Sequence, residues 1–555
     1  VWEGTFPLSS FRAAPTNASS AVQQRFADCL QIVREHQTQR TLFGADHRVT
    51  ENVLRELGNA GYWGLLVQPE FGGSGCSLRN FMAFLTHMAS LEPTVAGMLA
   101  VHACIGATNH IQAFGTREQQ TRWLPQLARG DALAAFALTE PCAGSDLTAI
   151  RTQAERAGDE LVITGEKFFI TNAAPGRIVS LVCRYENQPT MVLLELPQQE
   201  SEQFRMLDYE LHALQHTVNR GFQLRQFRVP MANLLHAPQG NGLTLAYHGL
   251  NRGRIALCAN AAGTMRILLA NLLPWVKFRR TYGEALADRD LIRRRLARLA
   301  ALIVGADALV AWCSSLLDAG VRGEMECIIA KVFGSRALQE AAIEISLKTH
   351  GGRSFLRGHR IGDYLPDYLA PSIYEGEGEI LSLAFFRSLV KEHQLAFFDP
   401  AKKTSAQARL ATYWQWRVGQ AWWPKSRPSL AGEFEEHAQF AMRSLQANAL
   451  EISNLMWKHR AKLVERQSRM AEVSQRIQKQ ATLLVTSLYA HDSACEITRL
   501  AGKILCQDLQ NELTGTRPSD RYFQMTNQLG ERVAEGAFPL LETRIEDEVV
   551  LRYPL

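Results

Sequence analysis

Apolar residues recur at helical spacing from about residue 20 to residue 128, most densely from Phe81 to Ala113, with Gly and Pro punctuating the neighbouring segments. The texture then changes. Asp131–Thr139, Leu161–Thr171, Arg177–Arg184, Thr190–Leu196 and Gly221–Val229 are short, rich in β-formers and separated by turn residues, which predicts strands. The helical period returns at Gly242 and persists to about His393. Helices, then strands, then helices is not the alternation of a doubly wound parallel sheet. It predicts an α+β chain whose middle strands form an antiparallel barrel or sandwich. Phe397-Phe398-Asp399-Pro400-Ala401-Lys402-Lys403-Thr404-Ser405 reads as a linker. Beyond it, Ser429–Glu465 and Gln467–Tyr489 carry long amphipathic patterns without Pro. The divisions this predicts are 1–130 (helical), 131–240 (β), 241–396 (helical) and 406–555 (a helical extension).

Composition narrows the class. The 555 residues suit about three or four domains. Hydrophobic residues at 46% and charged residues at 21% exclude wholesale disorder and fibrous repeats. A net charge of +5 is no nucleic-acid footprint. Ten cysteines, from Cys29 to Cys506, form no CxxC pair and no Cys/His cluster at ligand spacing. That argues against a disulfide framework and against a metal site, and for a reducing compartment. No run of 18 apolar residues occurs, so no transmembrane helix is expected. The first residues carry neither a basic nor an apolar leader pattern and no initiator Met. The expected location is the bacterial cytoplasm, or the mitochondrion if a transit peptide has been removed.

Three segments carry candidate chemistry. Phe136-Ala137-Leu138-Thr139-Glu140-Pro141-Cys142-Ala143-Gly144-Ser145-Asp146 is a β-rich run ending in a small-residue turn. Such a turn brings N–H groups and hydroxyls close to a flat or anionic ligand, unless it is an ordinary turn. Gly165–Asn172 looks like a hairpin arm, with Phe169 and Thr171 on one strand face. That pair can stack on a ring and bond its edge, or can simply be half-buried. Ile373-Tyr374-Glu375-Gly376-Glu377-Gly378-Glu379-Ile380 sits at a loop-to-helix junction. Acidic residues at a helix N-terminus favour the macrodipole, which accounts for Glu377 and Glu379. Glu375 follows Ile373 and Tyr374. A carboxylate in an apolar pocket has a raised pKa and serves as a base near neutral pH.

Together these segments resemble the acyl-CoA dehydrogenase family, over about Ala21 to His393. Gly61–Gly64 and Pro69–Gly75 are similar to its N-terminal motif, Phe136–Asp146 to its first flavin signature, and Gly165–Asn172 to the strand stacked on the isoalloxazine. Arg279-Arg280-Thr281-Tyr282-Gly283 resembles the motif that reaches a neighbouring subunit's flavin. His350-Gly351-Gly352 resembles the glycine pair near the partner's FAD adenine, and Tyr374-Glu375-Gly376 the catalytic triplet. The resemblance implies an all-α N-terminal domain, an antiparallel β-barrel middle domain and a C-terminal four-helix bundle, followed here by an additional helical domain.

It also implies FAD-dependent α,β-dehydrogenation of a fatty acyl thioester, carried by coenzyme A or by an acyl carrier protein, to the trans-2-enoyl thioester. Glu375 would remove the α-proton and flavin N5 would take the hydride. The Glu375 N–H and a ribityl hydroxyl would hold the thioester oxygen. FAD contacts carried over are Phe136, Leu138, Thr139, Gly144, Ser145, Phe169, Thr171, Arg279, Tyr282, Gly351, Gly352, Glu377 and Glu379. Substrate contacts are Ser145, Asn251, Arg254, Tyr374 and Gly376. Gly253 stands where some relatives place their base. Electron-transfer flavoprotein or a similar acceptor and a second copy of the chain are the implied partners.

Lys348, Ser354, Asp290, Pro366 and Glu377 depart from the family pattern. A second carboxylate at Glu377 would raise the pKa of the base, unless it turns to solvent. Leu99–Gly106 is more like the long-chain members. The extension is similar to that of very-long-chain members and of a related assembly factor, where it accompanies a dimer and membrane association. Tyr413, Trp414, Trp416, Trp422 and Trp423, with Arg460, Lys462 and Arg466 nearby, would form a peripheral membrane contact or else the extension's own core and solvated face. Two other readings stand beside the dehydrogenase: a scaffold with little activity, and a flavin oxidase or monooxygenase. The intact Tyr374-Glu375-Gly376 argues against both.

Overall fold

The computed structural model describes residues 8–397, 405–419, 430 and 432–541. Helices α1 (Ser20–Gln39), α2 (Glu51–Asn59), α3 (Leu78–Leu91), α4 (Pro93–Ala100), α5 (Ala107–Phe114) and α6 (Arg117–Arg129) open the chain. The apolar stretch Phe81–Ala113 is therefore broken into pieces. Glu92 turns extended at the end of α3, and its carboxylate caps α4 by accepting the Thr94 N–H at 3.2 Å. Val101–Ile105 then forms a wider π-type turn that stops at the extended Gly106. Such turns often mark functional sites.

The middle sheet contains β1 (Ala134–Ala137), β2 (Gln153–Ala157), β3 (Glu160–Thr171), β4 (Ile178–Tyr185), β5 (Gln188–Glu195), β6 (Phe204–Leu207), β7 (Asn219–Pro230) and β8 (Leu234–Leu235). Its order is β6-β7-β3-β2-β4-β5-β8, with β1 joined to β4. The pairings β1–β4 and β2–β4 are parallel, so the sheet is mixed rather than wholly antiparallel. β2 lacks a strand signature in the sequence because only Ala154 of its five residues is buried. The β3–β7 ladder shifts register twice, between Ile163 and Gly165 and between Lys167 and Ile170. Gln226 and Phe169, on opposite strands, have positive φ at these two bulges. The first bulge adds a residue to β7 and the second adds one to β3, so the register is the same at both ends.

Helices α7 (Gly242–Phe278), α8 (Asp290–Asp318), α9 (Glu324–Gln339) and α10 (Gly378–Phe397) follow. α7 and α8 are long and apolar enough to cross a membrane, but 89% and 83% of their apolar windows are buried within the protein. They are core helices, hydrophobic nearly all round because neighbours cover every side.

The extension contributes α11 (Ala406–Gly419), α12 (Glu433–His459), α13 (Gln467–Asp492), α14 (Glu496–Thr514) and α15 (Asp520–Ala534). One continuous apolar core runs from Cys29 in α1 through the bundle to Phe538. α15 approaches α8 so closely that a Cβ on Gly530 would sit 2.1 Å from the Arg293 carbonyl oxygen. Arg298 of α8 donates to Glu340 at 2.7 and 3.0 Å and to Asp508 of α14 at 2.7 Å. The extension is thereby bonded to the bundle by a partly buried guanidinium. The aromatic cluster divides. Tyr413 is buried and its hydroxyl accepts the Trp457 Nε1–H at 2.8 Å, whereas Trp414 is exposed. Trp422 and Trp423 lie outside the described residues. Arg460, Lys462 and Arg466 are exposed.

Candidate active site

The loop before α10 carries Glu375 at φ +58°, in the left-handed region that a non-glycine residue enters only at a cost. Its Oε2 is buried without a hydrogen-bond partner. A Cβ built on Gly253 of α7 would meet that oxygen at 2.9 Å and Ile105 Cγ1 at 2.5 Å. Glycine at 253 thus leaves the carboxylate its space, and the π-type turn supplies the apolar wall. Burial raises the Glu375 pKa to about 7, while Lys331 and Arg254 pull it back. Glu377 has no share in the rise. Its Oε2 accepts the N–H groups of Glu379 and Ile380 at 2.8 and 3.1 Å, capping α10. Of the two readings the sequence left open, this is the helix N-terminal one rather than the like-charge effect, and it occupies the carboxylate that the resemblance assigns to FAD. Glu379 is exposed in the first turn of α10.

Arg254 and Asn251 converge here from α7. Arg254 Nε lies 3.5 Å from the Glu375 carbonyl oxygen, and its Nη1 donates to Asn251 Oδ1 at 3.1 Å. Lys331, fully buried in α9, donates to the carbonyls of Ser372 and Gly376. No hydrogen bond takes up the Glu375 N–H among the described residues. Tyr374 is 38% exposed beside it.

A second group lies on the sheet. Phe136 is partly buried in β1 against His110, and Leu138 is buried. Thr139 is partly buried, and its carbonyl accepts the Phe168 N–H at 3.0 Å. Gly144 and Ser145 are exposed at the turn, and a Cβ at 144 would meet nothing within 4 Å. The Phe169 ring is 59% exposed at its bulge.

The turn and β3 are tied together by residues not singled out in the sequence. Lys167 Nζ donates to Glu140 Oε1 at 2.8 Å and to the Leu138 carbonyl at 2.9 Å. Glu140 also accepts the N–H groups of Arg151 and Thr152 at 2.6 and 3.0 Å. Burial works against its charge, but the ammonium and these donors hold its pKa below the usual carboxylate range. Tyr209 was likewise unmarked. Its hydroxyl accepts the Phe169 N–H at 2.6 Å and donates to Asn219 Oδ1 at 3.1 Å, and Asn219 Nδ2 donates to Thr171 Oγ1 at 3.0 Å. No local pattern announces it, because Tyr209 and its partners come from three separate segments.

A third group is apart. Tyr282 is 99% exposed on a hairpin after α7, and Arg279 is exposed at the end of that helix. Gly351 has φ +69°, and neither Gly351 nor Gly352 has anything within 4 Å of a built Cβ. No hydrogen bond or ring contact among the described residues joins these four to Glu375 or to Phe169.

The sheet residues fall in one matched family model, and the Glu375 loop and the third group both fall in another. The acyl-CoA dehydrogenase N-terminal, middle and C-terminal domain models cover residues 20–131, 135–219 and 240–389. The chain is 30% identical over 342 residues to the probable acyl-CoA dehydrogenase YngJ of Bacillus subtilis, which spans 61% of this chain and 89% of that protein. It belongs to the acyl-CoA dehydrogenase family. The very long-chain specific acyl-CoA dehydrogenase of Bos taurus is 29% identical over 350 residues, covering 60% of this chain but only 52% of that protein. The crystal structure of a Bacillus anthracis acyl-CoA dehydrogenase complexed with FAD has the same fold with a TM-score of 0.77 at 20% identity. It covers 96% of this chain and 97% of its own, so the likeness of fold extends through the helices after residue 405.

FAD is the family's cofactor. The residues present fit a flat anionic group: an exposed aromatic ring at Phe169, the open turn at Gly144–Ser145 and the open glycines at 351–352. Phe136, Leu138, Thr139, Phe169 and Thr171 would hold its ring end. Replacing Tyr209 by Phe deletes the hydroxyl that fixes the Phe169 bulge. The variant is expected to stay folded, losing about 1 kcal/mol. It should release FAD more readily, as measured by the flavin remaining after gel filtration.

Proposed function

We propose that the protein oxidises a fatty acyl thioester to its trans-2-enoyl thioester, with Glu375 as the base. The observation that carries this is the buried Glu375 carboxylate, with a pKa of about 7 and no hydrogen-bond partner on Oε2. A base works best with a pKa near the working pH. Glu375 takes the α-proton on that oxygen. Its free N–H is a ready donor to the thioester oxygen, which gains negative charge as the proton leaves. Arg254, buried on α7, adds positive charge beside the same loop. FAD, when bound, supplies the two-electron acceptor for the β-hydrogen. Ile105 and Gly253 keep the base in an apolar setting.

Further parts of this reading are proposals on the same footing. The donor is a coenzyme A or acyl-carrier-protein thioester, and Leu99–Gly106 suits a long acyl chain. Tyr282 and the 351–352 glycines, open and with no bond to Glu375 among the described residues, serve a second copy in a homodimer. Electron-transfer flavoprotein or a similar acceptor reoxidises the enzyme. The exposed Trp414 and Trp457 beside Arg460 and Lys462 are the place for peripheral membrane contact. The site of action is the bacterial cytoplasm or the mitochondrion.

The test is spectroscopic. Purified protein should be yellow, and anaerobic palmitoyl-CoA or palmitoyl-carrier protein should bleach it. A colourless protein that cannot take up FAD, or a yellow one that neither donor bleaches, would sink the reading.

A further inference from the structure

We propose that Lys331 is a positioning residue for Glu375, its ammonium clamping the carbonyls on either side of the base and standing as a fixed cation behind it. This rests on Glu375 being the base. Lys331 is the kind of group proteins seldom bury: it is fully enclosed, and among the described residues its ammonium makes no ion pair within 4 Å. An ammonium in such a place needs hydrogen-bond acceptors. It finds them in two backbone carbonyls, Ser372 and Gly376, four residues apart.

The chain between those carbonyls is Ile373-Tyr374-Glu375, and it is strained. Glu375 has φ +58° and Gly376 φ +105°. Ile373 and Tyr374 both direct their N–H groups to the Ala370 carbonyl, at 2.9 and 3.3 Å, which winds the loop tightly before the base. Nothing in Tyr-Glu-Gly itself favours this conformation at Glu375. Two carbonyls held by one ammonium close the loop from outside, so the strain persists where the surroundings over-determine it. The same bonds leave the Glu375 N–H unspent.

The charge acts as well as the bonds. The groups around Glu375 are Lys331 on α9, Arg254 on α7, Cys104 on the π-type turn and Tyr374 in its own loop. Around Lys331 are Glu375, Arg254, Glu377 and Arg336. Burial lowers the Lys331 pKa to about 8, with Glu375 and Glu377 opposing the fall, so it is charged at neutral pH. Of the groups facing Glu375, Lys331 and Arg254 are those that favour its ionised form.

Lys331→Met keeps the length and removes both effects. Without the cation the carboxylate is harder to ionise, so the pKa of the base rises. The acid limb of the kcat–pH profile should move up by about one unit, so that lost ionisation alone lowers kcat about fivefold at pH 7 and about tenfold well below it. KM should change less than threefold and FAD should stay bound. Lys331→Arg keeps the charge but replaces the single point that meets both carbonyls. Its acid limb should stay in place while kcat falls at every pH, and it carries the test if the Met variant does not fold. A wild-type profile in Lys331→Met, or a displaced limb in Lys331→Arg, overturns the proposal. Thioester oxidation by wild type and its loss in Glu375→Gln are measured first. If either fails, the assigned base falls and Lys331's role falls with it. If both hold, the Lys331 variants judge the clamp alone.

Discussion

Glu375→Gln should abolish bleaching by an acyl thioester while leaving FAD bound, with turnover lower by about 10²- to 10⁴-fold. The amide has nearly the shape of the carboxylate and cannot accept the proton. FAD should remain because the candidate ring contacts, Phe169 and Thr171 among them, lie on the sheet rather than in the Glu375 loop. Unchanged turnover would refute the assigned base. The wild-type kcat should fall as pH drops below about 7, because the protonated acid is inactive. Stability moves the other way. A carboxyl with a raised folded pKa binds its proton more tightly when folded, so its ionisation costs stability as pH rises from its unfolded value through about 7. Glu375→Gln should therefore raise Tm at pH 8 and hardly change it at pH 4.

Lys167→Met should have the largest effect on stability. It strips the buried Glu140 carboxylate of its counter-charge and leaves it, among the described residues, the N–H donors of Arg151 and Thr152. Breaking a buried pair from one side costs about 3–5 kcal/mol, because a charge remains buried without its partner. The damage should be felt at the flavin turn as well, since Lys167 also holds the Leu138 carbonyl. The expected result is a lower Tm together with loss of FAD. Glu140→Gln combined with Lys167→Met should recover much of the Tm, because an uncharged pair has no stranded ion. A single Lys167→Met variant as stable as wild type would contradict the role given to the pair.

Much of this was legible in the sequence, and the reasons are physical. The switch from helical to strand periodicity places the sheet between two helical regions, because each element buries one face. Glu375 was legible as a candidate because Ile373 and Tyr374 precede it, and the structure buries its carboxylate oxygen as that apolar setting implies. β2 escaped because Gln153-Ala154-Glu155-Arg156-Ala157 is mostly solvated and has no apolar alternation to read. The parallel pairing of β1 with β4 escaped because strand direction depends on connections rather than composition. Glu377 left two readings open in the sequence, a second charge beside the base or a helix N-terminal carboxylate, and its bonds to the Glu379 and Ile380 N–H groups decide for the helix. Lys331, Tyr209 and the Glu140–Lys167 pair were invisible for a common reason. Their partners lie 41 and 45, 40, and 27 residues away, and a single chain carries no pattern linking such positions.

The opposed bulges on β3 and β7 form a matched pair. Each alone would displace the rest of the ladder by one position and turn the outward side chains of one strand inward. Together they confine the shift to the short stretch from Ile163 to Ile170. Deleting Gln226 alone should therefore be far more damaging than deleting Gln226 and Phe168 together, even though the double change removes more of the chain. A lineage could gain or lose this kink only by altering both strands, which makes the pair a heritable unit as well as a local bend.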